Sequence, residues 1–456
     1  MNIYLSVELA VRELDSKLLL ATIAASRGHQ VIISEQNIIK RGLMSGVLDP
    51  GIFHDKSLTP NDNKIALHKS LIKNGFKITS IDEEGYLVGH GYDMFARNRY
   101  SEQMIEKASA VFGWGTEDVD VLKKFYPKYS SKIHKTGSAR ADLWKLFFSD
   151  YWNTPKMLPK KPYLLVSSSM ETYMMKPFHD VVRFSSFAGY YKRDSQLLKN
   201  QLGDASEAYA ITSAFIEAIK HLANKNIGYD IVLRPHPIED IEAWKISLEN
   251  IPNVHVIREG SITPWVNNAF AIMHNGCATA LEATISGKPV VTYVPFKQKF
   301  GRKLPNELGH CVETLEDLLL KVNTLFEKRQ LADQKNLDNP LPETVSKKIY
   351  LDKNELAAEK MIKLWESLGQ DNFSKTSNML KFEWFLKIVK FRSAIGAMLR
   401  KLFPAKFGQR EDDWKFPSLN NNDIHERISR FKHVLKIDVE LECKLLSDRT
   451  ILIRRS

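Results

Sequence analysis

Cysteine is scarce: Cys277, Cys311 and Cys443 are the three in 456 residues, and no two form a CxxC pair. That scarcity excludes a disulfide framework or a cysteine-based zinc site and fits a reducing compartment. No run approaches the ~20 apolar residues that a membrane-spanning helix needs. The opening "MNIYLSVELAVREL" carries acids early and no basic stretch, so it does not read as a secretory signal. There is no P-loop, and Gly113 and Gly115 lack the third glycine of a dinucleotide fingerprint, which argues against NAD. The acidic "EDVD" (Glu117 to Asp120) contains a DxD, but at a helix start, where acids complement the dipole. Neither a metal nor a cofactor is therefore expected. Internal repeats and low-complexity tracts are also lacking.

What is present is an alternation. "NIYLSV" reads as a strand, "ELAVRELD" as a charged loop, "SKLLLATIAASRGH" as a helix closed by Gly28, and "QVIIS" as a strand. The rhythm continues through "KIALHKSLIKNG", "FKITSID", "ASAVFGW", "EDVDVLKKFYP" and "SKIHKTGS". It breaks at the Pro- and Lys-rich linker "DYWNTPKMLPKKP". A second series follows: "YLLVSSS", a long helix "EAYAITSAFIEAIKHLANK", then "DIVLRPHP", "VHVIRE", "AFAIMH", "ATALEATISG" and "PVVTYVP". Alternating strands and helices of this kind make doubly wound, mainly parallel sheets. The expected class is α/β with two Rossmann-like domains, at 1–155 and 156–370, the second closed by the helix "LDKNELAAEKMIKLWESLG". A basic extension, 371–456, ends in a hairpin-like alternation.

In open α/β sheets, ligands sit beyond the C-terminal ends of strands. Three such places hold the candidate residues. After "DIVL", two prolines bracket a histidine, fixing Arg234 and His236 in a rigid loop. After "AFAIM", the run "HNGCATALE" places Asn275, Gly276 and Thr279 at a helix start suited to a phosphate, with Glu282 one turn on for ribose hydroxyls. In the first domain, "SIDEEGYL" puts Glu83 and Glu84 after a strand, where a carboxylate can deprotonate an acceptor hydroxyl. Glu8 and Arg12 of "ELAVRELD" are candidates for sugar or acceptor contact.

"RPHP" resembles the HP motif of bacterial polysialyltransferases and capsule Kdo transferases, and "DEEG" their D/E-D/E-G motif. "KTGSARADLW" resembles the element closing the first domain of capsule and teichoic-acid transferases, with "GSAR" in place of the usual asparagine-proline pair. With "VREL" and "FGWG", the set is similar to surface carbohydrate biosynthesis proteins over residues 1–345. The resemblance implies a GT-B glycosyltransferase, two Rossmann-like domains facing a cleft, metal-independent and without a cofactor beyond its nucleotide-sugar substrate. It places CMP-phosphate contact on His236 and the catalytic base on Glu84. The serine/threonine motif falls on Ser167-Ser168-Ser169, with Ser168 as its centre, or on Thr279. The implied donor is a CMP-activated 2-keto sugar acid such as Kdo or a nonulosonic acid, and the acceptor a surface polysaccharide or glycolipid. Alternatives of similar architecture are a nucleotide-sugar 2-epimerase or a CDP-polyol phosphotransferase. A non-catalytic polysaccharide assembly factor is the alternative from another class.

The net charge of +11 is concentrated: from Phe373 to Arg410, nine Lys or Arg accompany one acid, Glu383. There Phe382, Phe385, Leu386, Ile388 and Val389 interleave with Lys381, Lys387, Lys390 and Arg392, as in a helix lying on an anionic membrane. The expected location is cytoplasmic, peripheral at the inner face of the membrane. No nucleic-acid recognition motif accompanies the charge.

Overall fold

Short β-branched and apolar runs form strands buried on both faces, as parallel sheets covered by helices require. The computed structural model describes residues 1–86, 91–169, 195–237, 239–299, 303–329, 341–369, 379–402 and 415–456. Two compact domains are present, one of Met1–Leu143 with Glu343–Ser456, the other Trp144–Pro342.

The first domain begins with β1 (Asn2–Val7), β2 (Gln30–Glu35), β3 (Ile52–Asp55), β4 (Lys77–Ile81), β5 (Ala110–Gly113) and β6 (Ile133–Lys135). They lie in the order β2-β1-β3-β4-β5-β6, all parallel. The order reverses between β1 and β3, so the loops after these two strands flank the switch point. The second domain holds β7 (Tyr163–Ser167), β8 (Asp230–Arg234), β9 (Val254–Val256), β10 (Ala271–His274), β11 (Val290–Tyr293) and β12 (His310–Val312). Its order is β12-β11-β10-β7-β8-β9, again all parallel, with the switch between β7 and β10. Helix Ser195–Lys225 lays Phe215, Ile219 and Leu222 into one core with Leu164, Val166, Ile231 and Leu233. Both domains are Rossmann-like.

Three expectations are corrected. "ELAVRELD" is not a loop: a helix runs from Ala10 to Ser26. Asp15 of this stretch and Lys17 just after it are buried and paired, Asp15 with Arg427 at 2.8 Å and Lys17 with Glu83 at 2.6 Å. Next, the helix Ala357–Gly369 closes the first domain rather than the second. Trp365 is fully buried there and donates to Thr79 Oγ1 at 2.9 Å, while Ala358 N–H donates to Asp142 at 3.0 Å. The boundaries consequently fall at 143/144 and 342/343 instead of 155/156 and 370/371.

The third correction concerns the tail, which is part of the first domain instead of an appendage. Strand β14 (Thr450–Arg455) pairs antiparallel with β2, and β13 (Leu441–Ser447) pairs with β14, extending the sheet to eight strands. Ile451, Leu452 and Ile453 are buried. In helix Met379–Leu402, Phe382 and Leu386 sit in one core with Ile39, Leu43 and Leu452, so they are not membrane-facing. Lys375, Lys406 and Arg410 lie outside the described residues. No helix among the described residues is long and apolar enough to cross a membrane.

Candidate functional site

In the first domain, charged side chains gather where β1, β3 and β4 end. Glu8 follows β1 and forms an ion pair with Lys56, which follows β3. Asp82-Glu83-Glu84 follows β4 in a turn closed by Gly85 N–H donating to the Asp82 carbonyl at 2.9 Å. A Cβ on Gly85 would stand 3.1 Å from Trp114 Cδ1 and 3.2 Å from the Asp82 oxygen, so a side chain fits poorly. Asp82 is the anchor. It accepts two 2.8 Å bonds from Arg99, and its carbonyl accepts Trp114 Nε1–H at 2.7 Å.

The two glutamates differ in kind. Glu83 is buried, its Oε1 held by Lys17 Nζ, while Oε2 is buried without a hydrogen-bond partner among the described residues. Burial opposes ionisation of Glu83, yet the Lys17 ammonium, with Arg140 and Arg12 behind it, holds the carboxyl below its ordinary range. Glu84 is 59% exposed at its side chain, 3.9 Å from Arg12 Nη1 and 3.8 Å from Arg99 Nη2. Beneath them, Glu13 accepts the Glu8 N–H at 2.8 Å. Burial, then the Glu83 carboxylate, push the Glu13 carboxyl up to about 7. Glu8, Arg12, Glu83 and Glu84 are thus brought together.

Sequence reasoning missed Glu13, Lys17, Lys56 and Arg99. The signal for the first two was a Glu–Lys pair four apart at the start of a helix that is mainly apolar from Leu18 on. Asp118 of "EDVD" accepts the Trp114 and Gly115 N–H groups at 2.8 Å each, a cap in place of a metal ligand. Among the described residues no group of His, Cys, Asp and Glu could hold a metal ion.

In the second domain, β7 lies between β8 and β10, so the loops after those two strands meet at Ser167 and Ser168. Ser168 Oγ donates to Glu239 at 2.5 Å and accepts the His236 N–H at 3.3 Å. Glu239 also accepts Trp244 Nε1–H at 2.9 Å, and Arg258 donates to the His236 carbonyl at 3.1 Å. The backbone of the proline-bracketed loop is therefore fixed while His236 stays only half-buried. On the other side, Ser167 Oγ donates to Thr279 Oγ1 at 3.0 Å and lies 3.1 Å from Cys277 Sγ.

Two expected phosphate contacts are otherwise engaged. Arg234 donates to the Glu259 and Gly260 carbonyls at 2.6 and 2.7 Å and lies over the Trp265 ring. Burial lowers its guanidinium to about 10, and its role here is to brace the loop after β9. Gly276 has a φ of +64°, which suits glycine, but its N–H donates to Asn306 at 2.6 Å and so is not free. Asn275 donates to the Tyr293 carbonyl at 2.8 Å. Glu282 is buried on the short helix Thr279–Ile285. His274, also buried, is pushed down to about 3 by burial and stays neutral. Glu239 and Asn306 are the residues missed here, since neither lies in a recognisable motif.

No family model and no curated protein matches the chain. Among solved structures it is similar to a UDP-GlcNAc 2-epimerase from Neisseria meningitidis bound to UDP-GlcNAc. That match has 11% identity and a TM-score of 0.47, covering 80% of this chain and 100% of that one. It is also similar to a glycosyltransferase from Rickettsia africae, at 14% identity and a TM-score of 0.44, covering 81% and 99%. A third, the UDP-GlcNAc 2-epimerase from Methanocaldococcus jannaschii, has 12% identity and a TM-score of 0.45, covering 80% and 100%. Strand order alone identifies the two Rossmann-like sheets, independently of these likenesses.

Proposed function

We propose that this chain is a nucleotide-sugar-dependent glycosyltransferase of the GT-B type, acting on a CMP-activated 2-keto sugar acid. The observation that carries the reading is the loop after β8, where Ser168, Glu239 and Arg258 fix the backbone around His236 beside the switch point. His236 donates to the donor phosphate, with Ser168 and Thr279 near it. Arg234 is a positioning residue in this account, because both its Nη atoms are committed to carbonyls.

Glu84 is the base. Glu83 is held in a buried ion pair with Lys17, whereas Glu84 is solvent-accessible and flanked by two arginines. The acceptor hydroxyl loses its proton to Glu84 as its oxygen attacks the anomeric carbon. The bond from that carbon to the phosphate oxygen breaks, and its electron pair leaves with CMP. The acceptor is a surface polysaccharide or glycolipid.

Incubation of the purified chain with CMP-Kdo or CMP-sialic acid and a glycan acceptor tests this reading. CMP release with sugar transfer is expected, and Glu84→Gln should lower transfer by about 10²-fold or more while donor binding survives. Conversion of UDP-GlcNAc to its 2-epimer without any acceptor would instead establish the epimerase reading.

A further inference from the structure

Helix Met379–Leu402 has two apolar faces, and the first domain covers one of them. Phe382 and Leu386 point into the core, with Phe382 Cε2 so close to Gly42 that a Cβ there would lie 2.8 Å away. At about 100° per residue, Leu380, Trp384, Phe391, Ile395 and Met398 fall within an arc of about 60° on the opposite side. Their exposures are 71, 68, 67, 42 and 63%. A folded domain rarely leaves so continuous a line of large apolar side chains in water without a partner for it.

The charges beside the line say which partner. Lys381 and Arg392 flank it on one side, Lys387 and Lys390 on the other, and all four are exposed. The one acid of the helix, Glu383, is paired with Lys444 at 2.7 Å, so the helix itself offers these cations no free acid, and none of the four has an ion pair among the described residues. A second copy of the helix laid against the first would bring the two sets of lysines together. An anionic surface has the opposite preference. It takes the apolar line into its acyl boundary and meets the flanking cations with phosphate groups.

We propose that this face docks in the plane of an anionic lipid bilayer, with Trp384 and Phe391 at its centre. The opposite face, through Phe382 and Leu386, holds the domain to the surface. The docking face is thus not the one the sequence pattern suggested. The inference does not rest on the nucleotide-sugar reading.

Co-sedimentation of the full chain with phosphatidylcholine vesicles, with and without phosphatidylglycerol, tests it alongside the mass in solution by sedimentation equilibrium. The chain is expected to bind the phosphatidylglycerol vesicles, to bind pure phosphatidylcholine weakly, and to be released by salt. Trp384→Gln/Phe391→Gln should weaken binding by about tenfold or more without changing the thermal midpoint or the mass. The proposal fails if this variant binds like the parent, or if both vesicle types bind equally. It also fails if the substitutions turn a dimer into a monomer, since a second copy would then cover the line.

Discussion

At the residue scale, the first domain concentrates buried charge at one end of its sheet, and that arrangement has a pH signature. Glu13 is raised from 4.5 to about 7 by burial and then by Glu83, against the pull of Lys17, Arg12 and Arg140. Between those values the folded protein holds a proton that the unfolded chain has released, so stability falls as pH rises through the window. Glu13→Gln should match the parent near about pH 5 and exceed it by on the order of 2 kcal/mol near about pH 8. Urea denaturation of both proteins across that range is the check. The buried histidines His54 and His274 titrate the other way, but they are common to both proteins and cancel in the difference. A constant offset would mean that Glu13 is already ionised in the fold. None of this was readable from "ELAVRELD", because burial of a charge is decided by partners far along the chain: Glu83 for Lys17, Arg427 for Asp15. The motif residues were easier to find. Two prolines around His236 and three acids before Gly85 announce stiff loops locally.

At the element scale, strands and helices of both sheets were legible because each carries its own period, apolar runs for strands and spaced apolar faces for helices. Their partners were not. The helix Ala357–Gly369 reads equally well as the end of either domain, and contacts distant in sequence decide it, Trp365 seated on Thr79 and Ala358 on Asp142. The same holds for helix Met379–Leu402, where interleaved aromatics and lysines fit either a core contact or a surface contact. The structure makes the core contact with one face and leaves the opposite face exposed. Phe382 fixes the inner one, being fully buried. Phe382→Ala should cost about 3–5 kcal/mol in urea denaturation, whereas Trp384→Ala should cost well under 1 kcal/mol. Equal losses would place both residues in one core and contradict the two-faced helix.

At the scale of the whole molecule, the second domain is an insertion between two parts of the first, and the tail completes the first sheet by laying β14 on β2. Removing residues 371–456 would strip a buried strand and expose the edge of β2, so the tail cannot be treated as a detachable anchor. Both sheets put their switch points beside loops that the sequence had marked, at Glu8 in one and at Ser168 and Asn275 in the other. The account's central claim is that the second of these holds the nucleotide through His236. Thermal unfolding of the full chain with CMP, CDP, UDP or GDP, for the parent and for His236→Ala, tests it most directly. A ligand at about 100 times its Kd adds about 2.7 kcal/mol, a midpoint rise of a few degrees. CMP is predicted to raise the parent midpoint most, while His236→Ala keeps the unliganded midpoint and loses most of the rise. No rise with any nucleotide, or an undiminished rise in His236→Ala, would contradict the account.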